Sequence, residues 1–196
     1  VPQILDFGTD FYAMQSVCVD RRQIAFAWVF NWEDRKPVGS PYSGELSLPR
    51  ELRLDDRNRL TMLPVLELDQ VFHARPVPMA VDGSFAIGSA PLDLQLAGDL
   101  DGTTIVALQE GELSFEVKVT EGMIVVRLAQ DDGRIKYRAN AESMTDLRII
   151  FDRGILEVFA EKGAVCGTRR SYANTAPDTI NVHTRARPMI NQWRIT

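Results

Sequence analysis

Any chemistry in this chain has to start from its carboxylates, because its other candidate groups are scattered. His73 and His183 are isolated, and Cys18 and Cys166 lie far apart. Neither residue type shows the close spacing of a zinc site, so no metal centre or cofactor is expected. The two cysteines read as buried free thiols. Acid–base catalysis by paired carboxyl groups needs one ionised and one protonated group at the same bond. Asp6 and Asp10 are the only carboxylates in an aromatic, glycine-containing segment. If that segment is extended, both project from one face, but about 13 Å apart along the strand. Glu33 and Asp34 are adjacent, point to opposite sides of a strand and read as solvated surface acids. Glu157, between Leu156 and Val158, reads as the polar face of a strand. No catalytic residue is assigned on this chain.

The elements that would position these groups are strands. Leu147–Asp152, Ile155–Ala160 and Ala164–Arg169 are strand-like runs, with Asp152-Arg-Gly154 and Glu161-Lys-Gly163 as their turns. Upstream, Thr104–Leu108 leads through Glu110-Gly111 into Leu113–Val119. There Leu113, Phe115, Val117 and Val119 are expected on one face. Glu121-Gly122 then turns into Met123–Leu128, and Asp131-Asp-Gly133 into Arg134–Arg138. Thr179–Thr184 and Ile190–Ile195 read as further strands. Such spacing predicts an antiparallel sandwich or barrel. The N-terminal part is aromatic-rich in Phe11–Met14, Ile24–Phe30 and Asn31-Trp32, and Lys36–Pro41 is a loop by its Pro and Gly content. One short helix is expected near Leu60–Leu68, interrupted by Pro64.

Composition sets limits on partners. The chain has 196 residues, of which 45% are hydrophobic and 25% charged, with a net charge of −5. That suffices for a buried core. Without a basic patch, nucleic acid is not an expected partner, and no apolar run reaches the roughly 18 residues of a membrane span. Val1-Pro2-Gln3-Ile4-Leu5 carries no initiator Met and no signal peptide, and reads like the middle of a longer polypeptide.

Several segments resemble glycoside hydrolase family 32, the β-fructosidases. Asp6-Phe-Gly-Thr-Asp-Phe-Tyr-Ala13 resembles that family's Asp-Tyr-Gly-x-Asp-Phe-Tyr-Ala signature. Arg21-Arg22 followed by Ile24–Trp32 is similar to its Arg-Arg-(hydrophobic)-Gly-Trp-Met-x-Asn-Trp strand. Gly44–Leu52 resembles the segment that leaves the catalytic domain, and Pro64-Val-x-Glu67-Leu68 follows it. Phe151-Asp-Arg-Gly-Ile-Leu-Glu-Val-Phe159 is similar to the hallmark of the family's β-sandwich. The departures are Ala27 for the Gly before the first Trp, Met14 where Pro is frequent, and Arg153-Gly154 in the sandwich turn.

The resemblance implies an all-β chain: a C-terminal two-sheet antiparallel β-sandwich, residues 55–196, preceded by the last part of a five-bladed β-propeller, residues 1–54. It also implies part of a retaining hydrolase of β-fructofuranosides, which needs two carboxyl groups about 5–5.5 Å apart. The family's Trp-x-Asn-Asp-Pro, Arg-Asp-Pro and Glu-Cys motifs, which carry nucleophile and acid/base, do not occur in this sequence. The chain alone is therefore expected to be inactive. Asp6, Tyr12, Trp28 and Trp32 are the implied substrate-binding residues: Asp6 for sugar hydroxyls, the aromatics as a wall under the ring. Asp10 reads as structural. The implied partners are a fructoside (sucrose or a fructan) and the N-terminal propeller portion. A non-catalytic sandwich that stabilises the propeller, binds fructan or mediates homodimer formation is the alternative.

Overall fold

A computed structural model of the chain describes residues 2–30, 44–88, 90–131, 137–172 and 176–195. Two-residue turns organise much of it. Asp20 and Arg21, Glu110 and Gly111, Glu121 and Gly122, and Arg153 and Gly154 have positive φ at both positions. A type I′ turn requires this, and its twist matches that of the antiparallel strands it joins.

The first sheet contains β1 (Tyr12–Val19), β2 (Arg22–Val29), β3 (Glu45–Leu46), β4 (Arg50–Leu54) and β5 (Leu60–Pro64), in the order β1-β2-β4-β5 with β3 also paired to β2. Residue 55, the expected start of the second unit, lies in the turn between β4 and β5. Leu60–Pro64 is thus a strand and not the expected helix. Pro64, which has no N–H to give to a ladder, stands at its last position. The helix comes one step later and is short, α1 (Glu67–Val71).

The rest of the chain builds two six-stranded antiparallel sheets. After β6 (Phe72–Pro76) come β7 (Ser84–Ala86), β8 (Leu92–Ala97), β9 (Thr104–Gln109), β10 (Glu112–Thr120), β11 (Met123–Leu128) and β12 (Tyr137–Asn140). They are followed by β13 (Asp146–Asp152), β14 (Ile155–Ala160), β15 (Val165–Arg170), β16 (Thr179–His183) and β17 (Arg187–Ile195). One sheet runs β12-β11-β10-β9-β16-β7 and the other β15-β14-β13-β8-β17-β6. Their facing sides share one apolar core, including Leu94, Ile105, Phe115, Val117, Ile149 and Leu156. The two-sheet sandwich expected from the strand spacing is present, with a separate sheet before it.

The second of these sheets is covered on both sides. Leu156, Val158 and Ala160 of β14 belong to the inner core, while Phe159 joins Met62, Ile150 and Cys166 in a smaller cluster with Leu48 and Leu52 of the first sheet's segment. A strand buried on both faces reads as an unbroken apolar run instead of an alternating one, and Ile155–Ala160 has that form.

Four further expectations are corrected. Asp6 and Asp10 do not lie on a strand; their segment runs along β15, with the Phe7 N–H donating to the Cys166 carbonyl and the Asp10 N–H to the Thr168 carbonyl. That covers the otherwise open edge of β15. A bulge at Ser114 shifts β10, so Leu113 pairs with Leu108 and faces away from Phe115, which pairs with Ala107. Cys18 is exposed on β1, and only Cys166 is buried. Glu157 does lie on the outward face of its strand, but that face is buried. The predicted Asn31, Trp32, Glu33 and Asp34, the 36–41 loop and most of the Arg134–Arg138 strand lie outside the described residues. Strands β6, β7 and β8 were not assigned from the sequence.

Candidate functional site

Two of the predicted site residues are neighbours. Tyr12 and Trp28 are directly paired across β1 and β2, with ring centroids 6.2 Å apart and planes tilted by 56°. Trp28 also stacks on Phe30, at 4.3 Å between centroids. A bulge between Tyr12 and Gln15 sets this end of β1, with Ala13 at a φ of 49°. Bulges bend a strand and re-aim its side chains, and here Tyr12 is left 46% exposed. Gly44 lies against the pyrrole edge of Trp28; a Cβ built there would sit 1.5 Å from the indole Nε1. A ring face of this kind packs against C–H groups and excludes water from them. Trp32, the remaining aromatic of the predicted set, lies outside the described residues.

Asp6 is elsewhere, at the centre of a buried ionic cluster. Its Oδ1 accepts from the backbone N–H groups of Gly8 and Thr168, at 2.9 and 2.8 Å. Its Oδ2 accepts from Arg50 Nη1 at 3.0 Å and from the Thr168 hydroxyl at 2.7 Å. Arg50, on β4, is fully buried. It donates to Glu157 Oε2 through Nε and Nη2, at 3.1 and 2.6 Å, and to Thr168 Oγ1 at 2.6 Å. Its guanidinium lies over the rings of Phe11 and Phe159, 4.4 and 4.8 Å from their centroids. Glu157 Oε1 accepts from the Leu48 N–H at 2.7 Å. A buried charge is tolerable only when paired and hydrogen-bonded, and each of these groups is. Arg50 and Thr168 were not singled out by the sequence reading. The available signal was an Arg set in an apolar strand, Leu48-Pro-Arg-Glu-Leu52.

The electrostatics follow from burial. Desolvation lifts the Glu157 carboxyl above its ordinary value, against the pull of the Arg50 charge and the Leu48 N–H. Burial works to lower the Arg50 pKa, but the charges of Glu157 and Asp6 overcome it and hold the guanidinium protonated. Burial, reinforced by Asp6 and Glu157 and opposed by Arg50, pushes the Cys166 thiol up to about 12. This cluster is built to hold parts together; its carboxylates are already satisfied and do not face an open cleft. Asp10 is fully buried and accepts from Thr9 Oγ1 and the Arg170 N–H, which fits its structural reading.

Two of the clefts among the described residues fall within the size range of small-molecule sites. One, of about 630 Å³, includes Gln3, Phe7, Arg59, Asn140 and Glu161 in its wall. The other, of about 470 Å³, is lined by Leu63, Ala97, Arg148, Lys162 and Met189 among others. Neither contains the aromatic pair. Glu161 is committed, accepting from the Ser143 N–H and from Arg59.

With this geometry in view, the chain matches two sequence models: the N-terminal domain of glycosyl hydrolases family 32 over residues 2–64, and the C-terminal domain of the same family over residues 120–191. It is 32% identical over 184 residues to a raffinose invertase of Escherichia coli, covering 86% of this chain and 38% of that protein. It is 27% identical over 197 residues to a sucrose-6-phosphate hydrolase of Zymomonas mobilis, covering 90% of this chain and 38% of that protein. The fold is similar to a family 32 glycoside hydrolase from Bifidobacterium adolescentis (TM-score 0.80, 22% identity, 97% of this chain and 32% of that one). It is also similar to a Bombyx mori β-fructofuranosidase (TM-score 0.76, 22% identity, 98% and 42%). The chain thus spans about two fifths of the length of the curated relatives it matches.

Proposed function

The chain belongs to glycosyl hydrolases family 32, and from that premise we propose that it is the C-terminal part of a retaining hydrolase of β-fructofuranosides. The observation that carries this reading is the order of the two matches, N-terminal domain then C-terminal domain, on a chain whose first sheet is joined to a complete sandwich. The division at residues 54 and 55 separates what we propose to be the catalytic-domain remnant from the sandwich. The nucleophile and the acid/base, which must face each other about 5–5.5 Å apart, come in this proposal from polypeptide outside the chain. Strand β1 supports the same reading: every residue but one is exposed, including Val17 and Val19. In the proposed assembly the preceding portion of the propeller covers that strand.

In this proposal Tyr12 and Trp28 form the face against which the fructoside packs, with Trp32 as a further member of the wall. Asp6, expected from the resemblance to bind sugar hydroxyls, stands apart from this face. A sugar hydroxyl reaching it would have to share oxygens that already accept four hydrogen bonds, so its contribution is to hold the segment that carries Tyr12. The substrate class is a β-fructoside of the sucrose type, free or phosphorylated.

The test is an assay of sucrose, sucrose 6-phosphate, inulin and levan hydrolysis by the purified chain and by the polypeptide encoded with the preceding reading frame. The expected result is no turnover by the chain and turnover by the longer polypeptide. Removing either ring from the longer form (Tyr12→Ala or Trp28→Ala) is expected to raise KM between about twofold and tenfold, an aromatic contact being worth ~0.5–1.5 kcal/mol. Turnover by the chain alone would overturn the reading.

A further inference from the structure

Both mounts of the Tyr12–Trp28 pair are fastened to one carboxylate, and that carboxylate belongs to the sandwich. Tyr12 follows directly on the segment 6–11, which has no ladder of its own in the first sheet. That segment is held by its backbone bonds to Cys166 and Thr168, by Asp6 on Arg50 and, beside Tyr12, by Phe11 packed on the Arg50 guanidinium. Trp28 pairs with Leu46 of β3. The chain after Leu46 is held by the Ser47 N–H on the Ala27 carbonyl, by Ser47 Oγ accepting from the Ala27 N–H, and by the Leu48 N–H on Glu157 Oε1. Glu157 Oε2 takes both remaining contacts, from Arg50 Nε and Nη2. One oxygen of Glu157 thus fixes the support of Trp28, and the other fixes, through Arg50, the support of Tyr12.

A second tie runs parallel: Arg170 of β15 donates to Glu45 of β3 through Nε and Nη2, at 3.0 and 2.8 Å. The cluster is buried and flanked by Phe11 and Phe159. In such surroundings, charge-assisted hydrogen bonds transmit displacement because no water can replace a lost partner.

We propose that Glu157 is a positioning residue for the aromatic face: the sandwich sets the relative placement of Tyr12 and Trp28 through the Glu157–Arg50–Asp6 chain. This rests on the reading of that pair as the sugar-facing surface, but its test does not depend on activity. The 196-residue chain is labelled with 5-fluorotryptophan, and its Trp28 ¹⁹F resonance is identified by its loss in Trp28→Phe. Glu157→Gln keeps shape and an acceptor for Leu48 but removes the charge that holds Arg50. It is expected to move or broaden the Trp28 resonance beyond the wild-type line width. Ile149→Val, a cavity in the inner sandwich core on the other face of the sheet from Glu157, serves as a stability control and is expected to leave that resonance in place. Should Glu157→Gln fail to fold, Thr168→Val, which removes the hydroxyl between Arg50 and Asp6, replaces it with the same expectation. A Trp28 resonance unmoved in the folded cluster variant, or moved equally by Ile149→Val, overturns the proposal. Either result leaves the fructosidase reading to its own hydrolysis assay.

Discussion

Arg50 shows how much can rest on one side chain. It has no exposed surface, and it places a positive charge between two carboxylates, a hydroxyl and two aromatic rings. The two carboxylates stand on opposite sides of the joint, Asp6 ahead of the first sheet and Glu157 within the sandwich. Truncating Arg50 would leave both buried charges without their common partner. Arg50→Ala is expected to destabilise the fold by about 3–5 kcal/mol, the usual cost of breaking a buried ion pair from one side. Thr168→Val removes only a hydroxyl and is expected to cost about 1–3 kcal/mol, the range for stranding buried hydrogen-bonding groups. Urea unfolding monitored by circular dichroism measures both. If Arg50→Ala costs no more than Thr168→Val, the cluster does not carry the joint.

At the scale of the element, turns were legible in the sequence and partners were not. Glu110-Gly111, Glu121-Gly122 and Arg153-Gly154 were readable because two successive positive φ values favour glycine at one of them. The hairpins they close formed as expected. The misread stretches lacked such a local mark. In Leu60–Leu68 the apolar spacing suits a short helix as well as a strand, and pairing with β4 decides the matter. The bulge at Ser114 is invisible in an alternating sequence, because one extra residue changes register without changing composition. The cluster at the joint was half legible: Glu157 stood out as polar among apolar neighbours, but its partner lies 107 residues away. The glycines themselves can be ranked. Nothing lies within 4 Å of a Cβ added to Gly111, whereas one added to Gly154 would come within 2.0 Å of Arg170 Nη1 and 2.5 Å of the Ser171 carbonyl oxygen. That carbonyl belongs to the residue whose N–H donates to the Gly154 carbonyl. Gly111→Ala is expected to cost about 1–2 kcal/mol, from left-handed backbone alone. Gly154→Ala is expected to cost a further ~1–3 kcal/mol from overpacking. Equal losses in urea unfolding would mean that the β13–β14 turn has room that the packing denies.

Across the whole molecule, the ion pairs couple its stability to pH. The Asp55 carboxyl lies below its ordinary value of 3.8, held down first by the Arg59 backbone N–H and then by the Arg59 side chain. Glu51 is lowered from 4.5 by Arg53 and Arg22, and Glu67 from 4.5 by Arg22. For each, the folded pKa is lower than the unfolded one. The stability they contribute is therefore fully present above the unfolded values and is lost as pH falls through the folded ones. Glu157 acts with the opposite sign: burial raises its folded pKa, so its protonation on acidification favours the folded state and offsets part of the loss. The acids held below their ordinary values are more numerous, and the net expectation is a stability that holds down to about pH 4.5 and then declines. Asp55 is the clearest single test, because its Oδ1 accepts two backbone N–H groups and its Oδ2 accepts from Arg59 Nε. Asp55→Asn keeps a carbonyl acceptor for the turn but cannot titrate. Its urea midpoint is expected to lie below wild type at pH 7 and to fall less steeply between about pH 4.5 and 2.5. Parallel acid limbs in the two proteins would show that the β4–β5 turn is not where acid acts on the fold.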